Sequence, residues 1–185
     1  MEHVVVERRM DPPIGIADLA AMDQRAAWCF EQHRVDHLTS VVAFDGVQLL
    51  CVFRAPDAEA VRSVLRRLGA AVDRVWAASL HAAPHLPASA PLAAMATPVV
   101  VVERGFGDPV DFADVHALED RGAWCLEQHR VRFLRSYFAS TRRRMVCVYE
   151  APDAEAVRLA QRGAGLPLER AWPAMVYEVG RQAPA

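Results

Sequence analysis

The strongest constraint on this chain is that its sequence repeats itself at a fixed interval. Cys29 and Cys125, Cys51 and Cys147, and Trp76 and Trp172 each stand 96 residues apart. Val4-Val5-Val6-Glu7-Arg8 returns as Val100 to Arg104, and Ala55 to Arg62 returns as Ala151 to Arg158. The longest echo runs from Ala27-Trp28-Cys29 through His33 to Val35, and again from Ala123-Trp124-Cys125 through His129 to Val131. A repeat that needs no gap implies two copies of one small domain. The expected organisation is repeat 1 over 1–80, an Ala/Pro-rich linker over 81–98, and repeat 2 over 99–180. The linker is too rich in proline for a helix, and its His81 and His85 read as incidental.

Bulk chemistry narrows the function classes. The 185 residues are 53% hydrophobic and 24% charged with a net charge of -2, which suits a soluble globular protein. Phosphate contacts need a concentrated basic face, so a nucleic-acid binder is not expected, and Arg142-Arg143-Arg144 reads as a solvated hairpin. No apolar run approaches the roughly 20 residues of a membrane span. The start, Met1-Glu2-His3-Val4, shows no basic segment followed by an apolar one, so the expected location is cytoplasmic with all four cysteines reduced.

Each repeat reads as βαββαβ. In repeat 1 the strands are expected at Val4 to Arg8, Val35 to Phe44, Leu49 to Phe53, and Val72 to Leu80, with a turn near Asp45-Gly46. The first helix is clearest in repeat 2, where Phe112, Val115, Leu118, Gly122, Cys125, Leu126 and His129 form one stripe after an Asp111 cap. The second runs from Asp57 to Leu68 and stops at Gly69. Two βαβ halves sharing one antiparallel sheet make a ferredoxin-like α+β unit, which covers only one sheet face with helices. The duplication supplies a cover for the other: two sheets packed face to face as an intramolecular dimeric-type α+β barrel.

Alternation then sorts the polar residues. With Val4 and Val6 under the helices, Glu7 points to the face between the sheets. Placing Leu50 and Val52 under the helices sends Cys51 to that face, and Cys147 likewise. Strand two adds His37 in repeat 1 and Arg135 and Tyr137 in repeat 2. The expected pocket is therefore Glu7, His37, Cys51, Glu103, Arg135, Tyr137 and Cys147, groups costly to bury unless paired or liganded. A Glu103–Arg135 ion pair sealing the barrel is the bland alternative. A second candidate is the helix-end pair Cys29 and His33 with Cys125 and His129. Residues four apart share a helix face, so thiolate and imidazole there suit a transition metal, although the same spacing is ordinary core packing with a histidine at the helix end. A Cys29–Cys51 disulfide would require strand three to face the other way.

Val-Val-Glu-Arg on strand one, Arg135-Ser136-Tyr137 on strand two, and Cys147-Val148-Tyr149-Glu150-Ala151-Pro152 leading to Arg158 and Gly165 resemble the bacterial nickel-responsive family long labelled a domain of unknown function. The resemblance implies small ferredoxin-like domains paired into α+β barrels, with nickel or another divalent transition metal as cofactor. Repeat 1 departs from it, with Leu38-Thr39-Ser40-Val41 opposite Leu134-Arg135-Ser136-Tyr137. The leading expectation is a non-catalytic cytoplasmic nickel-binding protein for metal handling or sensing. The alternatives are a small-molecule enzyme or binding module using the barrel interior, and a structural interaction domain. No phosphate loop, nucleophile elbow or CxxC pair points to an enzyme class. The expected partner is a metal ion or small molecule, and the expected state is a monomer with further self-association open; Trp28 and Trp124 lie off the core stripe, where they either cover the packing between helix and neighbour or form an oligomer contact.

Overall fold

The computed structural model describes residues 1–87, 90–92 and 98–179; part of the 81–98 linker and the last residue of the expected repeat 2 lie outside the described residues. Repeat 1 contains β1 (Glu2–Arg9), α1 (Ile16–Gln32), β2 (Asp36–Ala43), β3 (Gln48–Ala55), α2 (Ala58–Arg67) and β4 (Arg74–Ala82). Repeat 2 contains β5 (Val99–Gly105), α3 (Phe112–Arg121), α4 (Ala123–Gln128), β6 (Arg132–Ala139), β7 (Arg144–Glu150), α5 (Ala154–Gly163) and β8 (Arg170–Glu178). The strands hydrogen-bond in the order β1-β3-β2-β8-β5-β7-β6-β4 and close an α+β barrel. Among the described residues, no helix is long and apolar enough to cross a membrane.

The molecule divides into two compact units whose borders cut through β4 and β8. One unit holds Met1–Ala78 and takes the end of β8 from Met175; the other takes β4 from Ser79 and ends at Ala174. In the first, β1 lies between β3 and β4, and β3 lies between β1 and β2, all antiparallel. The second repeats that arrangement with β5 between β7 and β8 and β7 beside β6.

Local sequence chemistry fixes the helix ends. Asp57 and Asp153 accept hydrogen bonds from the amides of Ala60 and Ala156 at 2.8 and 2.7 Å, which satisfies first-turn donors. Gly69 and Gly165, at φ +64 and +68°, end α2 and α5 in the left-handed conformation glycine adopts without strain. The inward stripes are Val61, Val64 and Leu65 in α2, and Val157, Ala160 and Gln161 in α5. The expected continuous first helix of repeat 2 is broken into α3 and α4 at Gly122. A Cβ there would stand 2.3 Å from that of Ala164, so glycine permits close approach to the end of α5 at the cost of its weak helix propensity. Repeat 1 has Ala26 at that position and one uninterrupted helix.

The β2–β3 turn depends on Gly46, whose φ is +74° and whose amide donates to the Ala43 carbonyl at 2.8 Å. A Cβ at this position would lie 2.6 Å from the Ile14 carbonyl oxygen and 2.8 Å from its nitrogen. Backbone cannot yield as a side chain does, so Gly46→Ala is expected to cost upward of about 1 kcal/mol in urea denaturation.

Candidate functional site

The helix-end repeat serves chain closure. After α1, the Val35 amide donates to the Phe30 carbonyl at 2.9 Å and the Arg34 amide to that of Glu31 at 3.1 Å, with Arg34 at φ +53°. This is a Schellman closure, which uses up the last helical carbonyls and carries Val35 into the core. The His33 Nδ1–H donates to the Cys29 carbonyl at 2.9 Å, while Cys29 itself is fully buried in the cluster beneath the helices. The second copy closes in the same way at Leu126 and Val131. There Cys125 is buried, and its Sγ would lie 3.1 Å from a Cβ built on Gly163.

The face assignment of strand three is corrected by the structure. Leu49, Cys51 and Phe53 lie in the cluster under the helices with Val4 and Val6, and Met145, Cys147 and Tyr149 lie in the corresponding cluster of the other unit. His37 joins them because a register irregularity between His37 and Thr39 pairs His37 with Phe53 and Thr39 with Val52. The same irregularity separates Phe133 from Arg135. The expected pocket is thereby split. His37, Cys51 and Cys147 sit on the helix side, while Glu7, Glu103, Arg135 and Tyr137 occupy the opposite face. All four cysteines are free, including Cys29 and Cys51, which share a cluster.

On that opposite face, Glu103 accepts from Arg170 at 2.8 Å, from Arg144 at 3.0 Å and from the Trp172 indole at 2.8 Å. Glu7 is held by Arg74 at 3.1 Å and Trp76 at 2.8 Å. Arg135 donates to the Ala90 carbonyl. The buried glutamates thus anchor the two tryptophans and their neighbouring arginines, and the ion pair expected from Glu103 is made to Arg170 and Arg144. Linker residue His81 belongs to β4, where it stacks on Phe112 with ring centroids 3.5 Å apart.

The helix side of the first unit contains a cavity of about 340 Å³. Its lining includes Arg8, Leu19, Asp23, Arg25, Phe30, His37, Cys51, Phe53 and Leu65. His37 is its polar centre. Its Nδ1–H donates to Asp23 Oδ1 at 2.7 Å, its Nε2 bonds the Ser40 hydroxyl at 2.8 Å, and its ring stacks on Phe53 at 4.8 Å. The Tyr177 hydroxyl donates to the other Asp23 oxygen at 3.3 Å. Burial alone would lower the His37 pKa, but the Asp23 hydrogen bond and the adjoining Cys51 outweigh it and raise it to about 9. The ring is therefore a cation at neutral pH, and its charge offsets that of Asp23.

The second unit fills the equivalent volume with its own side chain. Arg104, the counterpart of Arg8, is wholly buried; its Nη2 donates to the Tyr149 hydroxyl at 2.9 Å and to Gln161 Oε1 at 2.7 Å. Glu119, the counterpart of Asp23, pairs with it at 3.3 Å. Burial raises the pKa of Glu119 despite the guanidinium, and pushes that of Cys147 up to about 12. In the first unit Phe53 replaces Tyr149 and Leu65 replaces Gln161, so the guanidinium of Arg8 has lost both neutral acceptors. Its Nε bonds the Ala71 carbonyl at 2.8 Å instead. His37, standing where repeat 2 has Phe133, supplies the cation for Asp23. Sequence reasoning missed Asp23 and Arg8; the signal was the set of paired differences His37/Phe133, Phe53/Tyr149 and Leu65/Gln161 between otherwise matching repeats.

The donor set does not make a ready nickel centre. Among the described residues no three His, Cys, Asp or Glu side chains gather as a metal-holding group. Both nitrogens of His37 are already engaged, and a metal requires the neutral ring.

The sequence profile of the family described as "Nickel responsive protein SCO4226-like" matches residues 5–77 and 101–173. SCO4226 from Streptomyces coelicolor A3(2) aligns at 18% identity over 46% of this chain and 99% of its own, with a TM-score of 0.36. Fold likeness extends to a mutant chlorite dismutase from Candidatus Nitrospira defluvii, at 11% identity, 95% and 89% coverage and a TM-score of 0.53. A heme-binding protein from Thermus thermophilus aligns at 8% identity, with 96% and 91% coverage and a TM-score of 0.54. At these identities the last two show a shared fold alone. No curated protein matches the sequence. With both repeats matched almost end to end, the chain belongs to the SCO4226-like family of nickel-responsive proteins and carries the family's domain twice.

Proposed function

We propose that the protein is a non-catalytic binding protein whose ligand chamber is the cavity of the first unit, and that the ligand is a small organic acid with an apolar body. The observation that supports this reading is the contrast between the repeats: one copy of the volume is open and the other is plugged by Arg104. At about 340 Å³ the open copy is in the size range of small-molecule sites. Leu19, Phe30, Phe53 and Leu65 offer an apolar wall. Asp23 is neutralised by His37, whereas among the described residues neither Arg8 nor Arg25 has a carboxylate partner. An incoming carboxylate would supply one. Calorimetry and thermal shift with benzoate as the probe test this. Binding is expected, weakened at least about tenfold in Arg8→Ala/Arg25→Ala, the scale of losing one charged hydrogen bond. Binding that is absent, or indifferent to both arginines, overturns the reading.

Nickel binding is the second reading, favoured by family membership. It requires His37 to surrender a hydrogen bond and a proton, so its signature is proton release on titration of the reduced protein with nickel. Affinity weaker than about 1 mM dismisses it. Loss of binding in Cys51→Ala alone, or in Cys125→Ala alone, separates the cavity from the helix end.

A further inference from the structure

We propose that His37 sets the charge preference of the first unit's chamber: by covering Asp23 it makes the chamber a site for organic acids, and without it the chamber takes an amidinium or guanidinium cation. The inference rests on that cavity being a ligand chamber. Both residues line it, and their side chains are only 7 and 15% exposed, so their charges act on whatever enters with little screening by bulk water. The His37 ring occupies one Asp23 oxygen at 2.7 Å, and the Tyr177 hydroxyl occupies the other at 3.3 Å. With both oxygens engaged, Asp23 offers little to a cation. The positive charges left in the lining to meet an acid are Arg8 and the exposed Arg25.

The second repeat shows the same volume with the histidine removed. The strand irregularity that follows His37 recurs there, and it places Phe133 against the cluster under the helices. Glu119, at the position of Asp23, therefore has no imidazole, and a guanidinium takes that role. Arg104 pairs with it at 3.3 Å, fully buried, while its Nη2 donates to Tyr149 and Gln161. The Ser40 hydroxyl bonds the His37 Nε2 at 2.8 Å, whereas that of its counterpart Ser136 is buried and, among the described residues, without a hydrogen-bond partner. The carboxylate thus has two alternative partners, an imidazole from strand two or a guanidinium from strand one, and each repeat uses one of them.

A carboxylate so shielded is costly without a partner. Were His37 absent from the first unit, the chain's own candidate would be Arg8. Phe53 and Leu65 stand, however, where Arg104 finds its two neutral acceptors, and the Arg8 Nε bonds the Ala71 carbonyl. The volume would stay open, and a cation with an apolar body would fill it as the arginine side chain fills its twin. Selectivity is a difference between two affinities, and here one side chain reverses its sign.

The test is calorimetry on the full-length protein with benzoate and benzamidine, probes of similar size and opposite charge. The unsubstituted protein is expected to prefer benzoate. His37→Phe/Arg8→Ala removes the imidazole and the guanidinium that could replace it. Its benzamidine affinity should rise at least about tenfold and its benzoate affinity fall by about as much, the scale of one charged hydrogen bond. Adding Asp23→Asn should abolish the gain. A gain that survives Asp23→Asn, or no gain in a double variant that melts cooperatively, overturns the proposal. If the double variant does not fold, Asp23→Asn/His37→Phe, which leaves no carboxylate to cover, carries the test. Benzoate affinity within about threefold of the unsubstituted protein is then expected. A loss of about tenfold or more overturns the proposal, because His37 would be holding the acid itself. The two readings fail separately. Benzoate binding without a benzamidine gain removes the selector and leaves the acid chamber; an Asp23-dependent benzamidine gain without benzoate binding sinks the organic-acid reading and leaves the selector. Neither probe binding to either protein removes both.

Discussion

Replacing Arg104 with leucine is expected to destabilise the protein by about 3–5 kcal/mol, the cost typical of breaking a buried ion pair from one side. The guanidinium is wholly buried and is the shared partner of Tyr149, Gln161 and Glu119. Leucine would leave the buried Glu119 carboxylate without its cation, and the Tyr149 hydroxyl and Gln161 carbonyl without the donor they share. The network is already stretched: among the described residues Arg104 Nε and Gln161 Nε2 lack hydrogen-bond partners, and Arg104 Nη1 meets Glu119 Oε1 as an ion pair at 3.3 Å without hydrogen-bond geometry. Unmade bonds in a dry interior are expensive, so this cluster does not owe its place to net stability. Removing all four polar groups together, as Arg104→Leu/Glu119→Leu/Tyr149→Phe/Gln161→Leu, should therefore recover most of the loss. Urea denaturation of the single and quadruple variants measures both halves of the prediction.

The second large effect is a pH dependence carried by His37. Its pKa rises from 6.5 in the unfolded chain to about 9 in the folded one. A raised pKa means that the folded state binds the proton more tightly, so the contribution is complete below about pH 6.5. It declines as pH climbs from there and is gone above about 9. A shift of this size corresponds to on the order of 3 kcal/mol. The groups that face the ring are Asp23 from α1, Ser40 from β2, Cys51 and Phe53 from β3, and Tyr177 from β8. Burial and Asp23 raise the Tyr177 pKa above 10, which keeps it out of the window. Unfolding free energies at pH 6, 7.5 and 9 should fall with pH in the unsubstituted protein, and more shallowly in His37→Phe. Equal slopes in the two proteins would remove His37 as the source.

The duplication, the βαββαβ order and the barrel were legible in the sequence because they depend on repeated spacing and on apolar periodicity. The facing of strand three was not. Leu49 to Phe53 is apolar throughout, so alternation offers no polar residue to mark the outer side, and β3 is buried on both faces. The irregularity after His37 also left no trace in composition, yet it moved His37 from one face of the sheet to the other. Three of the seven expected pocket residues, His37, Cys51 and Cys147, were thus assigned to the wrong side. The break at Gly122 was hidden because glycine sat on the apolar stripe where a small residue looked like core. What decides the open cavity is a comparison between copies: Leu65 against Gln161 and Phe53 against Tyr149 remove the partners that hold Arg104 inward.

That comparison carries an evolutionary consequence. In a homodimer, symmetry forces every substitution to appear in both subunits, so a pocket cannot be sealed in one and kept in the other. Joining two domains in one gene lifts that rule. A mutation at position 37 or 65 leaves position 133 or 161 untouched, and one copy can drift toward a filled interior while its twin retains a chamber. The 96-residue repeat is thus a broken symmetry as much as a duplication, with one half free to specialise because the other need not follow.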